Sequence, residues 1–427
     1  MNRHVLDPAP RSYVSNIYLL DRSNRGPSCA PARQSLKDLH DWLLHDATQI
    51  DNVMLMFEEF MWRCKAADLG IDRCTLHVGT LHPRVIGFSW VWNSQDQLCD
   101  EIAADANALT QSSFTLSPLY RVMKEGETIK NDLESEEGRN SAPLMGELAE
   151  QGYTAYVAMP LSASGEMHNA MTFATKTPGG WPSVDKDQIR SLIDLLALHV
   201  ERHIVQRIAR NVADTYLGPI AGQRVLDGEI RRGDGEAIKA VVLMSDMRGF
   251  TQLADRLSGP EVTAILNAYF DRVSAAVLAH GGDILKFMGD GILAVFDQQV
   301  LGENAAANAA VKASRTALAA IEELNEAPIE GLPDPAFWQP LKIGIGLHRG
   351  EVFFGNVGGE ERLDFTVIGR AVNETSRVES LCKPLGRELL LTEPVREALS
   401  GDLQTELNAM GEHALRGVGK PVAIFSA

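Results

Sequence analysis

A long helical period, from about Val184 to Tyr216, divides this chain into two parts. Its apolar residues recur three or four positions apart, with charged residues at much of the rest: Ile193, Leu196, Val200, Ile204, Ile208 and Val212. Two structures fit this pattern, a surface helix that closes the preceding domain or a parallel two-stranded coil, although the spacing drifts from a strict heptad. With 427 residues to fold, the chain is predicted to form two domains joined by a helical connector.

The net charge limits the partners of the chain. The formal charge is −17, which argues against a nucleic acid or an anionic membrane surface as the main partner. A nucleotide substrate stays compatible, because a few metal ions and basic side chains can bind a triphosphate locally. No membrane partner is expected, since no uninterrupted apolar run approaches the length of a membrane span. The five cysteines are scattered and lack C-x-x-C spacing, which favours a cytoplasmic location.

The segment before the long helix has the pattern of an α+β domain. A helical period covers about residues 36–70, and short apolar runs at 74–78, 85–93, 153–161 and 170–175 are typical of strands. A polar, helical stretch is expected between the two strand pairs. We predict an N-terminal extension at residues 1–49, a sensor-type domain at 50–183, a signalling helix and linker at 184–236, and a catalytic domain at 237–427.

The C-terminal part alternates strands and helices in a recognisable order. An apolar strand ends at Ser245-Asp246, and an amphipathic helix follows it. Two strands then flank Gly289-Asp290-Gly291, and another helix and another strand come next. Strand, helix, hairpin, helix and strand form a split βαβ plan, so the sequence predicts a ferredoxin-like α+β domain.

Two aspartates stand out at the turns of this plan. Asp246 ends the first strand and Asp290 lies in the hairpin turn. Taken singly, Asp246 is a normal helix cap and Gly-Asp-Gly is normal hairpin chemistry. In a split βαβ sheet, however, the first strand and the hairpin are neighbours, so the two carboxylates can converge and bind divalent cations. Two metal ions held this way can activate a hydroxyl and neutralise a leaving phosphate.

Three segments, two of which contain these aspartates, point to one protein family. Residues 245–251 (SDMRGFT), 286–291 (KFMGDG) and 365–377 (FTVIGRAVNETSR) resemble, in the right order, the signature segments of class III adenylate and guanylate cyclases. The resemblance runs from about Ala240 to the C-terminus. It implies a homodimer whose two active sites lie at the interface, each using metal-binding residues of one chain and purine-binding and transition-state residues of the other.

The resemblance implies a role for each matching position. Asp246 and Asp290 match the two metal-binding carboxylates, with the backbone carbonyl of Met247 as a further ligand, for two Mg²⁺ or Mn²⁺ ions per site. Asn373 and Arg377 match the catalytic pair that orients the ribose and stabilises the charged transition state. The substrate-binding positions are Lys286 and Thr366 at the purine edge and Arg416 at the terminal phosphate.

The side chains at the purine positions favour ATP as substrate. A lysine only donates hydrogen bonds and a threonine can donate or accept, which fits the ring nitrogen and amino group of adenine. Thr366 also places the chain with a bacterial subgroup of adenylate cyclases that carries Lys and Thr. The expected reaction is attack of the ribose 3′-hydroxyl on the α-phosphate, giving 3′,5′-cyclic AMP and pyrophosphate. The alternatives are a guanylate cyclase and an inactive cyclase-fold scaffold.

Two positions depart from the family pattern. Arg370 replaces the usual acidic residue after the glycine, and Glu374-Thr375 replaces smaller apolar residues. Neither departure removes a catalytic group, but either can alter the dimer surface.

The N-terminal domain resembles a GAF domain in architecture, over about residues 50–207. A small-molecule ligand is therefore one hypothesis for it. Two histidines and three aromatic residues could line a pocket, although such side chains more often fill a core: His77, His82, Phe88, Trp90 and Trp92.

Overall fold

The computed structural model describes residues 11, 13, 16–161, 168–181, 186–326, 329 and 340–427. It divides into two compact units, residues 1–212 and 213–427. Both units combine a β-sheet with packed helices, so the α+β prediction is confirmed for each. The boundaries predicted inside each unit stay predictions.

The first unit contains a seven-stranded antiparallel sheet in the order β1-β4-β3-β2-β7-β6-β5. Its strands are β1 Ile17–Ser23, β2 Arg73–Gly79, β3 Gly87–Asn93, β4 Leu98–Ala104, β5 Ile129–Asp132, β6 Ala155–Leu161 and β7 Asn169–Thr175. Its helices are α1 Leu36–His45, α2 Val53–Ala66, α3 Ser112–Thr115, α4 Pro118–Glu125, α5 Glu136–Asn140, α6 Pro143–Glu150 and the long α7 Lys186–Leu217, which continues into the second unit. Residues 162–166, between the strands predicted at 153–161 and 170–175, lie outside the described residues.

Three of these strands differ from the sequence-based expectation. β4 lies in the stretch predicted to be helical, and β1 and β5 were not predicted. β1 pairs with β4 at the sheet edge, so residues 17–23 of the predicted extension belong to this sheet. For β4 the reason is not local: the strand begins with Leu98-Cys99-Asp100-Glu101, and burying two carboxylates requires partners that only the folded protein brings to them, here Arg22 and Arg207.

One face of this sheet packs against α1, α2 and α7, and it contains the aromatic residues considered for a ligand pocket. Phe88, Trp90 and Trp92 lie in the hydrophobic core, where Trp92 makes an edge contact with Trp62 at 5.1 Å between ring centroids. On the other face, His77 bonds Ser89 and Thr75 through its two ring nitrogens, and burial lowers its pKa to about 3. His82 accepts bonds from the backbone of its own loop. These five side chains therefore have packing or hydrogen-bonding roles.

The apolar stripe of α7 faces this same core. Ile193, Leu196, Val200 and Ile204 are buried in it, and Ile208 packs against it. The proposal that these positions join two chains in a coil is therefore wrong, and the alternative of a helix that closes the first domain is right for them. Val212, the last position of the predicted stripe, is exposed instead, and it belongs to a series of exposed apolar side chains along α7 that are spaced by seven, seven and four residues: Leu198, Val205, Val212 and Tyr216.

The second unit contains a mixed sheet in the order β14-β15-β13-β11-β8-β10-β9, with β12 paired to β11. Its strands are β8 Gly235–Met247, β9 Asp283–Met288, β10 Gly291–Asp297, β11 Ile343–Gly358, β12 Leu363–Ile368, β13 Leu389–Thr392, β14 Asn408–His413 and β15 Val422–Ser426. Its helices are α8 Pro219–Leu226, α9 Phe250–Ala254, α10 Gly259–Ala279, α11 Gln298–Leu301, α12 Glu303–Glu326, α13 Arg370–Leu385, α14 Glu393–Ala398 and α15 Asp402–Thr405.

The central strands of this unit follow the split βαβ plan. β8, α10, β9, β10, α12 and β11 come in that chain order, and the sheet order β11-β8-β10-β9 is that of a ferredoxin-like fold. Helices α10 and α12 cover one face through apolar side chains such as Ile265, Val273 and Val311. By length and composition α10 resembles a membrane span, but Tyr269 and Val277 on it are also fully buried in this core, which is how the core helix of a compact domain is built.

Candidate active site

The two predicted metal-binding aspartates lie next to each other in the sheet. β8 pairs antiparallel with β10, and the register sets Asp246 opposite Gly291, the residue after Asp290. The hairpin between β9 and β10 is tight: Met288 pairs with Gly291, and Gly289 adopts a φ of 63°, which favours glycine. The turn therefore holds the Asp290 side chain within hydrogen-bonding distance of the Asp246 carboxyl.

The electrostatics of this pair favour a cation. Burial, together with the neighbouring Asp290 carboxyl, raises the pKa of Asp246 to about 6. Across the described residues, neither aspartate forms an ion pair with a lysine, arginine or histidine. A pair of carboxylates with this arrangement supplies the oxygen ligands that hard divalent ions prefer, so these residues fit a metal site. Met247 ends β8 beside them, and its backbone N–H donates to Asp246.

A third carboxylate, which the sequence did not single out, lies near this pair. Glu379 on α13 senses the charges of both aspartates, and burial and these charges raise its pKa to about 7. Its side chain covers Gly344, which pairs with Asp246 in the sheet: a Cβ atom on Gly344 would lie 2.6 Å from Glu379 Oε1. Glu379 follows Arg377 by two residues, but no motif or spacing in the sequence marks it as a site residue.

The two predicted purine-binding residues lie on β9 and β12, two strands that do not pair with each other but come close enough for an ion pair. Lys286 on β9 forms an ion pair with Asp364 on β12. Thr366 lies two residues after Asp364, so both residues are on the same face of β12. The side chain of Thr366 is 5% exposed, and its hydroxyl has no hydrogen-bond partner among the described residues. An unpartnered buried hydroxyl beside a lysine is a ready binding position for a polar edge of a ligand. Asp364 was missed, although strand alternation from Thr366 could have found it.

The two predicted transition-state residues are one turn apart on α13. Asn373 is exposed and Arg377 lies against Gly417, where a Cβ atom would be 3.6 Å from the guanidinium. Arg416, next to Gly417, is exposed on the same loop. The structure therefore brings Arg377 near the segment proposed to bind the terminal phosphate.

Arg377 and Glu379 point to opposite sides of α13. Two residues along an α-helix correspond to about 200° of rotation. Glu379 faces the sheet beside Asp246, so Arg377 and Asn373 face away from the aspartates of their own chain. Among the described residues, no hydrogen bond or ion pair joins the aspartate pair to the purine-binding pair or to Arg377. One chain thus holds three separate groups of predicted site residues.

Residues 236–425 match the family model described as the adenylate and guanylate cyclase catalytic domain. The C-terminal region therefore carries a class III cyclase catalytic domain. The assignment covers that region and leaves the GAF-like interpretation of the N-terminal unit as a prediction.

Relatives of the cyclase domain include enzymes named for both purine nucleotides. The adenylate cyclase of Anabaena cylindrica is 34% identical over 196 residues, which cover 45% of this chain and 36% of that protein. Adenylate cyclase 1 of Rhizobium meliloti is 35% identical over 156 residues, covering 36% of this chain and 22% of that protein. The crystal structure of the guanylyl cyclase Cya2 is 31% identical, covers 45% of this chain and 92% of that chain, and gives a TM-score of 0.38. The chain thus spans 36% of the first of these adenylate cyclases and 22% of the second.

Proposed function

We propose that this protein is an adenylate cyclase that converts ATP to 3′,5′-cyclic AMP and pyrophosphate. The observation that carries the proposal is the pairing of Asp246 with Asp290 at strand ends of the cyclase-domain sheet, where no cationic side chain of the described residues forms an ion pair with either of them. An inactive scaffold would have no use for an arrangement that raises the pKa of Asp246 and disfavours the folded state at neutral pH.

Divalent metal ions are part of this proposal. Asp246, Asp290 and the carbonyl of Met247 would hold Mg²⁺ or Mn²⁺, two ions per site. Bound there, the ions would supply activation of the ribose 3′-hydroxyl and charge neutralisation on the triphosphate. The contribution of the chain itself is to place both carboxylates at one point through the register of β8 and β10 and the tight turn at Gly289.

The purine-binding residues favour ATP over GTP. Lys286 can donate to the ring nitrogen of adenine while it stays paired with Asp364, because an ammonium group has three donors. The hydroxyl of Thr366, which lacks a partner among the described residues, can accept from the amino group. Guanine presents a carbonyl and a ring N–H along this edge, and a reader of guanine is expected to carry Glu and a small residue at these two positions. Guanylate cyclase is the alternative that the assay below decides.

The direction of α13 supports a homodimer with composite sites. Asn373 and Arg377 face away from the aspartates of their own chain, so a second copy is needed to bring them to the triphosphate. There, Asn373 would orient the ribose, Arg377 would offset charge that develops on the phosphorus oxygens, and Arg416 would contact the terminal phosphate. Apolar side chains exposed on β9 and β12 provide a surface for that second copy: Phe287, Met288 and Ile368.

Regulation by the N-terminal unit is a further part of the proposal. Helix α7 is fixed to the sheet of that unit by an ion pair between Arg207 and Glu101 at 2.7 Å, and the same helix continues into the cyclase-containing unit. A change in that sheet would therefore reach the connector. The exposed α7 residues Leu198, Val205 and Val212 are available for pairing with a second chain. We also propose that the protein is cytoplasmic.

The decisive experiment is a turnover assay of the purified full chain with ATP or GTP, each with Mg²⁺ or Mn²⁺, and identification of the product. We expect cyclic AMP and pyrophosphate from ATP, and slower turnover of GTP. Cyclic GMP as the main product would establish the alternative. Absence of any cyclic nucleotide under all four conditions would refute the enzymatic proposal.

A mixing experiment tests the composite site. Asp290→Ala and Arg377→Ala should each be inactive alone. In a mixed dimer, one site carries both lesions and the other carries neither, so activity should reappear after co-expression. If verified mixed dimers stay inactive, each site is built within one chain.

A further inference from the structure

Helix α13 lies directly on the backbone of β11. Residues 344, 346, 348 and 350 alternate toward the helix, and three of them are glycines. A Cβ atom on Gly346 would lie 2.5 Å from the backbone nitrogen of Glu379, and one on Gly350 would lie 2.7 Å from the Cβ of Ala371. The glycines are therefore required for this close approach, and the contact leaves little room for α13 to shift.

His348 is the one residue of this row with a side chain, and it connects the strand to the helix. Its Nε2 is 3.0 Å from Glu374 Oε2, and its Nδ1 is 2.9 Å from the hydroxyl of Thr392 on β13. Arg370, one turn earlier on α13, donates through Nε to the other oxygen of Glu374. Both Glu374 and His348 are buried, whereas Arg370 approaches Glu374 from the solvent.

The charges of this cluster follow from burial. Desolvation lowers the pKa of His348; Glu374 acts in the opposite direction, and Arg370 lowers it further. A neutral ring must donate from Nε2 to Glu374 and accept at Nδ1 from Thr392. The negative charge of Glu374 is then balanced by Arg370, because no other lysine or arginine of the described chain forms an ion pair with Glu374.

Arg370 and Glu374 are also two positions where this chain departs from the family pattern. The usual acid at position 370 would lie one helical turn from the buried carboxylate of Glu374, and like charges at this spacing repel each other. With arginine at position 370, the same spacing gives an ion pair. Arginine at position 370 thus matches the buried carboxylate of Glu374 in charge.

We propose that Glu374, held by His348 and Arg370, is a positioning residue that fixes the first turns of α13 on β11 and thereby sets the directions of Asn373 and Arg377. Asn373 directly precedes Glu374, and Arg377 follows it by three residues. A small rotation of these turns would displace both side chains from the reacting groups. The inference rests on the proposed cyclase activity for its kinetic readout.

The test is a double-mutant cycle in the full-length protein with ATP as substrate. Arg370→Asp should lower kcat by about tenfold to a hundredfold, with KM for ATP changed less than about twofold, because displaced transition-state residues affect the chemical step. In the Glu374→Ala background, the same Arg370→Asp substitution should change kcat by less than about twofold, since the repulsion is gone. Arg370→Lys, which keeps the positive charge, should retain most of the activity.

The matched control is Glu303→Gln. It breaks the ion pair of Glu303 with Arg349, the residue after His348, without touching α13, and should leave kcat unchanged. Equal effects of Arg370→Asp in both backgrounds would overturn the inference.

A second readout does not depend on activity. The ¹⁵N spectrum of the His348 ring, assigned with His348→Gln, should show a neutral Nε2–H tautomer from pH 6 to 8, and this signature should change in Glu374→Ala. A ring that titrates as a free histidine would overturn the inference. If the wild type shows this spectrum but makes no cyclic nucleotide, the proposed function fails and the linkage of Glu374 to His348 stands.

Discussion

The first unit pairs its buried carboxylates with arginines, whereas the second unit, besides the paired Glu374, contains partly buried carboxylates that lack such partners among the described residues. In the first unit each is matched by arginine: Asp100 contacts Arg11 and Arg22, Glu58 contacts Arg25, and Glu101 contacts Arg207. In the second unit Asp246 and Asp290 lie within hydrogen-bonding distance of each other and Glu379 senses the charges of both, and across the described residues none of the three has an ion-pair partner. Burial and mutual repulsion raise the pKa values of Asp246 and Glu379 to about 6 and 7.

This contrast separates a structural use of charge from a functional one. A buried carboxylate with an arginine partner holds two segments together, and removing either member leaves an unpaired charge. Carboxylates without partners destabilise the empty protein, and they become useful when an external cation supplies the missing charge. The same chemical change should therefore affect stability in one unit and activity in the other.

The largest expected effect is on activity in the second unit. Asp290→Ala should lower cyclase turnover by at least about a thousandfold, because one of two metal-binding carboxylates is lost. The melting temperature without divalent ions should not fall, since the substitution removes repulsion with Asp246. Both quantities can be measured on one preparation, by product assay and by circular dichroism. A well-folded variant with appreciable activity would place the metal site elsewhere.

The corresponding change in the first unit should act on stability. Asp100→Ala leaves Arg22 and Arg11 without their shared partner, and breaking a buried pair this way costs about 3–5 kcal/mol of unfolding free energy. Tryptophan fluorescence during urea unfolding reports mainly on this unit, because five of the six tryptophans lie in it: Trp42, Trp62, Trp90, Trp92 and Trp181. Lys130→Ala, on the exposed edge strand β5, is the control. An unchanged midpoint for Asp100→Ala would show that arginine pairing is not what stabilises the first sheet.

The ion pair of Lys286 with Asp364 in the second unit tests whether a paired charge can also serve a ligand. Lys286→Glu combined with Thr366→Gly should lower kcat/KM for ATP, because mismatched donors and acceptors at a buried base edge cost about 1–3 kcal/mol each. The ratio of ATP to GTP turnover is the measurement. Asp364→Asn, which keeps both purine-binding side chains, should change this ratio much less. If the double variant kept its preference for ATP, other residues would read the base.

The smallest expected effect concerns Glu379. Its pKa of about 7 is above the 4.5 of an unperturbed glutamate, so the folded protein binds this proton more tightly than the unfolded chain. Stability contributed by the protonated form is therefore lost as the pH rises through about 7. Glu379→Gln cannot ionise, and should raise the melting temperature by about 2–4 °C at pH 8 without divalent ions. At pH 4.5 or below the two proteins should melt together; a difference that is the same at both pH values would contradict the assigned repulsion.

The amino-acid sequence by itself determined the order of the catalytic elements. Apolar runs and glycine turns placed Asp246 at a strand end and Asp290 in a hairpin, and spacing placed Asn373 and Arg377 on one face of a helix. Such features are local, since strand alternation, turn geometry and helical period depend on neighbours a few residues away. The same local signals missed β4, because a strand that contains Asp100 and Glu101 appears polar until its arginine partners, far away in the sequence, are in place.

Only the tertiary structure decided what each side chain meets. The helical period showed that α7 has an apolar stripe. It did not show that Ile193, Leu196, Val200 and Ile204 face the core of their own domain while Leu198 and Val205 are exposed. Likewise, Glu374 appeared to be a departure from a family pattern until the fold brought His348 to it across a row of glycines. Burial, pKa shifts and ion pairs arise from groups that are distant in sequence and close in space, and periodicity carries no information about which distant group that will be.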